Sequence, residues 1–121
     1  MFKVVMPIKR KAGMSKAEFE AYYENNHRLI GEKYLRGYAN KYTRRYLYNL
    51  DDGIDVNQND PEYDVLLEVW YPDEETFRAF LESISKPVIT DEIETDEEKF
   101  MDRTNMRMYF IKESVSDFLL K

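Results

Sequence analysis

Apolar residues recur along this chain with two different periods, and the switches between them lay out the elements. Phe2, Val4, Met6 and Ile8 alternate with Lys3, Val5, Pro7 and Lys9, a period of two that predicts a strand. Pro7 has no N–H, so the pattern expects an edge strand or a proline near the strand's end. From Ser15 the period changes. Ser15 and Glu18 stand in the S-x-x-E spacing of a capping box. Phe19, Tyr22, Tyr23, Asn26 and Ile30 then share one helical face. This helix is expected to continue or restart through Glu32 to Tyr34 and to stop at Gly37.

The second half repeats the plan. Residues 41–50 (KYTRRYLYNL) read as a strand with Tyr42, Arg44, Tyr46 and Tyr48 on one face. A polar loop rich in turn residues covers 51–61. Residues 63–71 (YDVLLEVWY) form the strongest strand pattern, with large apolar groups on both faces, so both faces are expected to be covered. Asp73 is a suitable N-cap for a second helix whose apolar face is Phe77, Phe80, Leu81 and Ile84. Pro87 closes that helical region. Residues 91–102 are expected to form a short exposed helix with Ile93, Phe100 and Met101 turned inward. Met106, Met108 and Phe110 mark a fourth strand, and the tail Phe118, Leu119 and Leu120 has no evident place in a minimal core.

The order strand, helix, strand, strand, helix, strand fits one domain over residues 1–121. A faint internal repeat supports it: Ser15, Glu18, Phe19, Ala21 and Tyr22 match Asp73, Thr76, Phe77, Ala79 and Phe80 in spacing. Two β-α-β halves with right-handed crossovers give an α+β, ferredoxin-like fold: a four-stranded antiparallel sheet with both helices on one face. The other sheet face is too aromatic to be left in water. A second subunit, a ligand or RNA would cover it.

Composition narrows the partners. The 121 residues carry a net charge of −6, which repels nucleic acid at long range. The first fifty residues carry +7 and the remainder −13, so the halves are expected to attract each other within the fold or across a dimer. No Gly-rich aromatic segment of the RNA-recognition type occurs at 106–113, and no phosphate loop or dinucleotide fingerprint is present. The chain has no cysteine, which suits a reducing, cytoplasmic setting and removes thiol chemistry. No apolar run is long enough to span a bilayer, and the N-terminus lacks a signal-peptide pattern. A single histidine with scattered acids is not a metal site, so neither metal nor cofactor is expected.

Several segments together resemble one family. The run Phe19, Tyr22, Tyr23 and His27, the lead-in Lys9 to Ser15 (KRKAGMS), the segment Tyr42 to Tyr46 (YTRRY) and Glu98 to Arg103 (EKFMDR) are similar in order and spacing to the EthD-like proteins of the dimeric α+β barrel superfamily. The resemblance covers nearly the whole chain. It implies a homodimer whose sheets close into a barrel, with a pocket between each sheet and its own helices. It also implies cofactor-independent tailoring chemistry on a polyketide-like aromatic or phenolic substrate, as a cyclase, dehydratase or decarboxylase. A cofactor-free oxygenase, an accessory of an oxidative pathway and a non-catalytic binding dimer remain as alternatives.

On this reading His27 is the candidate catalytic acid–base group, and Tyr23, Arg44, Tyr46, Trp70 and Phe110 are the candidate ligand contacts. His27 is the only histidine and the only side chain whose ordinary pKa lies near neutrality. Its place four residues after Tyr23 puts the pair at the edge of the buried stripe, at the mouth or floor of the cavity and within reach of Arg44. Alternatively it caps a helix C-terminus. Arg44 binds a substrate carboxylate or enolate, or pairs with Glu68 on the next strand. Trp70 is a stacking wall for a flat ligand, or core. The run 91–102, with seven acids in twelve residues, reads as a solvated face.

Overall fold

The computed structural model describes residues 1–51, 53, 55–56 and 60–120. Much of the loop expected over 51–61 lies outside the described residues. Among the described residues, seven strands and four α-helices run in the order β1 (Phe2–Arg10), α1 (Lys16–Tyr22), α2 (Arg28–Leu35), β2 (Lys41–Tyr46), β3 (Leu50–Asp51), β4 (Asp55–Val56), β5 (Val65–Tyr71), α3 (Glu74–Ser83), α4 (Pro87–Glu97), β6 (Met101–Asp102) and β7 (Tyr109–Phe110). A π-helical turn, Tyr23–His27, joins α1 to α2.

The main sheet has the order β2-β5-β1-β6, with β7 also on β1, and all its pairs are antiparallel. With β6 and β7 read as one interrupted last strand, this is the ferredoxin-like α+β arrangement. β3 and β4 form a separate hairpin. Register runs from Phe2 opposite Tyr71 to Ile8 opposite Val65, and from Lys41 opposite Trp70 to Tyr46 opposite Val65. Val4, Ile8, Val65, Val69 and Tyr71 are buried on one face, as alternation requires.

Pro7 is not on an edge strand. β1 is central, and the reason the proline is tolerated lies in its direction. Lys3 accepts from Ile111 N–H on the β7 side. Residues two apart point their backbone groups the same way, so the missing N–H of Pro7 faces that side too. There β1 pairs at Val4 and Val5 with β7 and at Lys9 and Arg10 with β6, and the ladders skip Pro7. Of the fourth strand expected over 106–111 only Tyr109–Phe110 pairs, and the other partner on this side of β1 is Met101–Asp102, in a stretch expected to be helical.

Ser15 closes the capping box. Its Oγ accepts from Glu18 N–H at 3.0 Å, and its own N–H donates to Glu18 Oε1 at 2.9 Å. The helical body then runs unbroken to Leu35, and Gly37 at φ +89° supplies the left-handed residue that ends it. Asp73 caps α3 by accepting from Thr76 N–H at 2.8 Å. Pro87 does more than close α3. It occupies the first turn of α4, where a missing N–H costs nothing, so that helix starts before the expected Asp91. Two buried groups hold the layers together: Ile8, Phe19, Tyr23, Val65, Phe100 and Met101, and separately Val4, Leu35, Val69 and Tyr71. Among the described residues no helix is long and apolar enough to cross a membrane.

Candidate functional site

Between the sheet and the helices lies a cavity of about 210 Å³. That exceeds the ~150 Å³ space that takes up benzene in an engineered core. Its floor is the buried sheet face, including Val69 and Tyr71, one wall is Tyr23, His27 and Gly31, and Phe80, Ile84 and Ile93 form the cover. The lining is mostly apolar. The few polar groups that reach it are therefore the ones able to orient a ligand.

His27 enters this wall from the π-turn. Such a turn widens the helix by one residue, closing with Arg28 N–H on Tyr23 O, and π-turns of this kind recur at functional sites. Tyr23 and His27 are both buried, their rings in edge-on contact at 5.4 Å. The His27 Nδ1 lies 2.8 Å from Asp96 Oδ2, and Tyr22 Oη donates to Asp96 Oδ1 at 2.6 Å. A carboxylate only accepts, so Nδ1 carries the imidazole proton and Nε2 keeps its lone pair. Nε2 lies 4.0 Å from Glu97 Oε2, and Glu97, like His27, lines the cavity.

Burial governs the charge states here. Loss of solvent pushes the His27 pKa below its ordinary value, and the Asp96 hydrogen bond only partly restores it, so the ring is neutral at neutral pH. Burial also lifts the Glu97 carboxyl to about 7. Arg103 opposes the rise, while Glu94 and Asp96 add to it. Arg103 Nε forms an ion pair with Glu97 Oε1 at 3.2 Å. Across the cavity wall, Tyr23 Oη and Tyr42 Oη share a hydrogen bond of 3.0 Å. Burial lifts the Tyr42 pKa to about 12, and that of Tyr23 well above its usual value, so both remain hydrogen-bond donors. Two hydroxyls sharing one bond leave one O–H for a ligand oxygen.

The EthD domain family matches residues 11–104 of this sequence. The chain belongs to the EthD family. An EthD family protein from Bacillus halodurans C-125 superposes with a TM-score of 0.63 at 15% identity, covering 94% of this chain and all of the other. An EthD-like protein from Ralstonia eutropha JMP134 gives 0.61 at 18%, covering 89% and 88%. SnoaB, a cofactor-independent oxygenase from Streptomyces nogalater, gives 0.54 at 11%, covering 95% and 94%. At these identities the structures share the fold. No curated protein matches the sequence.

Within this EthD domain the sequence candidates separate. His27 and Tyr23 line the cavity; Arg44, Tyr46, Trp70 and Phe110 do not. Arg44 Nε and Nη2 donate to Glu24 at 2.9 and 3.0 Å, and Tyr46 Oη donates to the same carboxylate at 2.6 Å. The pairing weighed between Arg44 and Glu68 is replaced by one between Arg45 and Glu68, at 3.2 Å. Strand alternation is the reason. Arg44 stands opposite Leu67 on the helix-facing side, while Glu68 points to the other face. Trp70 is on that far face, with Lys3 Nζ 3.9 Å and Lys41 Nζ 4.4 Å from its ring centroid. Phe110 stacks on Phe2 at 4.8 Å and is largely exposed.

His27 also does not cap a helix end, because the helix continues for eight residues beyond it. The residues that sequence reasoning passed over are Asp96 and Glu97. Both belong to the acidic run read as a solvated face, yet Asp96 is buried. One signal was available: Ile93, Asp96, Glu97 and Phe100 fall three and four apart, on one helical face with two apolar members.

Proposed function

We propose that the protein is a cofactor-independent acid–base enzyme of lyase type, acting on a flat aromatic or phenolic, polyketide-like ligand held in the cavity. The observation that carries this reading is the His27–Asp96 pair: Nδ1 is anchored to a carboxylate while Nε2 faces an apolar, ligand-sized space. A neutral imidazole there removes a proton from a carbon beside a carbonyl, and Asp96 stabilises the imidazolium that forms. The oxygen on which charge develops takes the spare O–H of the Tyr23–Tyr42 pair. Arg44 then acts through Tyr42, its guanidinium carbon 4.8 Å from that ring's centroid, rather than by touching substrate. Burial of the ring carbons contributes affinity at roughly 25 cal/mol per Å² of apolar surface.

Incubation with aromatic polyketide intermediates, with and without dioxygen, tests the reading by product mass. Loss of water or carbon dioxide supports it. Gain of oxygen atoms replaces it with the oxygenase activity of SnoaB, whose fold this chain shares.

We also propose a homodimer formed through the far sheet face around Val5, Leu66 and Trp70, with the exposed Phe118, Leu119 and Leu120 tail packed on the partner. Its expected interface exceeds about 1,000 Å². A monomer by light scattering at micromolar concentration is the opposing result. Truncation after Ser116 is expected to weaken the dimer.

A further inference from the structure

Glu97 has a position that a surface carboxylate would not take. It is the last residue of α4, in the most acidic stretch of the chain, but its side chain turns into the same apolar cavity as His27. Arg103 pairs with Oε1, which leaves Oε2 as the oxygen on the cavity side. The 4.0 Å between Oε2 and His27 Nε2 is too long for a hydrogen bond. Neither atom satisfies the other, so both are available to a third group placed between them.

We propose that Glu97 is the general acid working opposite His27, and that the pair commits the cavity to eliminating water from a β-hydroxy-ketone fused to an aromatic ring. The inference rests on the reading of His27 as the base. In such a substrate the acidic hydrogen and the departing hydroxyl sit on adjacent carbons. A base and an acid 4.0 Å apart serve both from one face of the ring. The ketone oxygen accepts from the Tyr23–Tyr42 pair.

Nε2 takes the α-hydrogen as a proton, and the C–H electron pair forms the enolate. The enolate pair then makes the C=C bond as the C–O bond breaks. The leaving oxygen keeps the C–O pair and takes the Glu97 carboxyl proton, departing as water. His27 is left as imidazolium and Glu97 as carboxylate, and one proton passed across the gap restores both. Nothing is oxidised or reduced, and no co-reactant is consumed. Burial keeps a fraction of Glu97 protonated at neutral pH. The charged groups that set that fraction are Arg103 after β6 and Glu94 and Asp96 on α4; His27, from the π-turn, faces Glu97 as a neutral ring.

Two assays separate the roles. Deuterium uptake at the α-carbon of 1-tetralone, which has no leaving group, reads the base alone. Conversion of 3-hydroxy-1-tetralone to 1-naphthol reads base and acid together. The wild type is expected to do both, and naphthol formation is expected to decline relative to exchange above pH about 7. Glu97→Gln is expected to lower naphthol formation by about 10²-fold or more, with a much smaller loss of exchange.

His27 is the only histidine, so its imidazole NMR signals are unambiguous. Their shift should titrate in two steps in the wild type and in one in Glu97→Gln, which also reports whether that variant is folded. Equal loss of both reactions in Glu97→Gln, or no loss of elimination, overturns the acid role while leaving His27 as the base. If that variant does not fold, an unchanging ratio of elimination to exchange across pH in the wild type overturns it instead. Absence of both reactions in the wild type overturns the base reading and this one with it.

Discussion

The two helical arms of this domain occupy matching places in the repeat and do different work. The first, residues 15–35, is anchored: Phe19 and Tyr23 are each 1% exposed and pack on Ile8, Val65 and Phe100. The second includes α3, which has a clear apolar face yet no buried residue. Its Phe77 and Phe80 pack only at the margin of the smaller core group, Phe80 lying 5.8 Å from the Tyr71 ring, and Phe80, Leu81 and the capping Ile84 also line the cavity. An apolar helix face that meets empty space has unrealised burial. On the proposed reading the first arm supplies the base from a well-packed support, while α3 of the second is a more loosely packed cover whose burial a bound ligand would add to.

The largest expected effect falls on the anchored arm. His27→Ala should lower turnover by about 10²–10⁴-fold, and His27→Gln should do nearly the same, because an amide does not shuttle a proton. Losing the bond to buried Asp96 should also cost about 1–3 kcal/mol in the alanine variant. Full activity in either variant, measured alongside Tm, would remove His27 from the mechanism.

The comparison of the arms is tested directly by truncating one aromatic in each. Phe19→Ala should cost about 3–5 kcal/mol of unfolding free energy, as expected for a fully packed ring. Phe80→Ala should cost less than half of that and weaken ligand binding more than folding. Equal losses in denaturant titrations would mean the cover is as well packed as the support.

Gly31 sharpens the account of the anchored arm. A Cβ there would lie 2.7 Å from Tyr42 Oη and 2.9 Å from its ring carbons. Gly31→Ala should therefore destabilise by about 1–3 kcal/mol, although alanine is the better helix former by about 1 kcal/mol. In a Tyr42→Leu background the penalty should vanish. A thermal shift of the opposite sign in the single variant would show that Tyr42 moves freely.

The smallest expected effect concerns pH. The folded-state pKa of Glu97, about 7, is above its unfolded value. Its contribution to stability is therefore complete below the unfolded pKa and is lost as pH rises through about 7. Glu97→Gln should flatten that decline in Tm from pH 5 to 8. His27, whose folded pKa is lowered, acts oppositely, its contribution being lost as pH falls through that value.

Much of the support was legible in the chain. The Ser15–Glu18 capping box, the stop at Gly37, the Asp73 cap and the first and third of the expected strands are local, and each formed as its spacing demanded, whereas the strand expected over 41–50 ends at Tyr46 and the one over 106–111 shrinks to Tyr109–Phe110. The site was legible only in part. His27 and Tyr23 share a helical face by spacing alone, and both line the cavity. Arg44 and Tyr46 share the helix-facing side of β2, but their polar groups are engaged by Glu24, an ion pair between a strand and a helix that no local pattern reports.

What the sequence determined by itself was the alternation of elements, hence the ferredoxin-like order, and the histidine around which any acid–base proposal had to be built. Only tertiary structure decided what faces that histidine. Periodicity describes a helix relative to its own axis, and it cannot say which distant segment packs against it. Asp96 meets His27 across 69 positions of sequence because Pro87 starts α4 early and β6 pairs with the end of β1, fixing where that helix lies. An acidic run looks solvated until such long-range packing turns two of its carboxylates inward, one to anchor the imidazole and the other, Glu97, to have its pKa raised by burial.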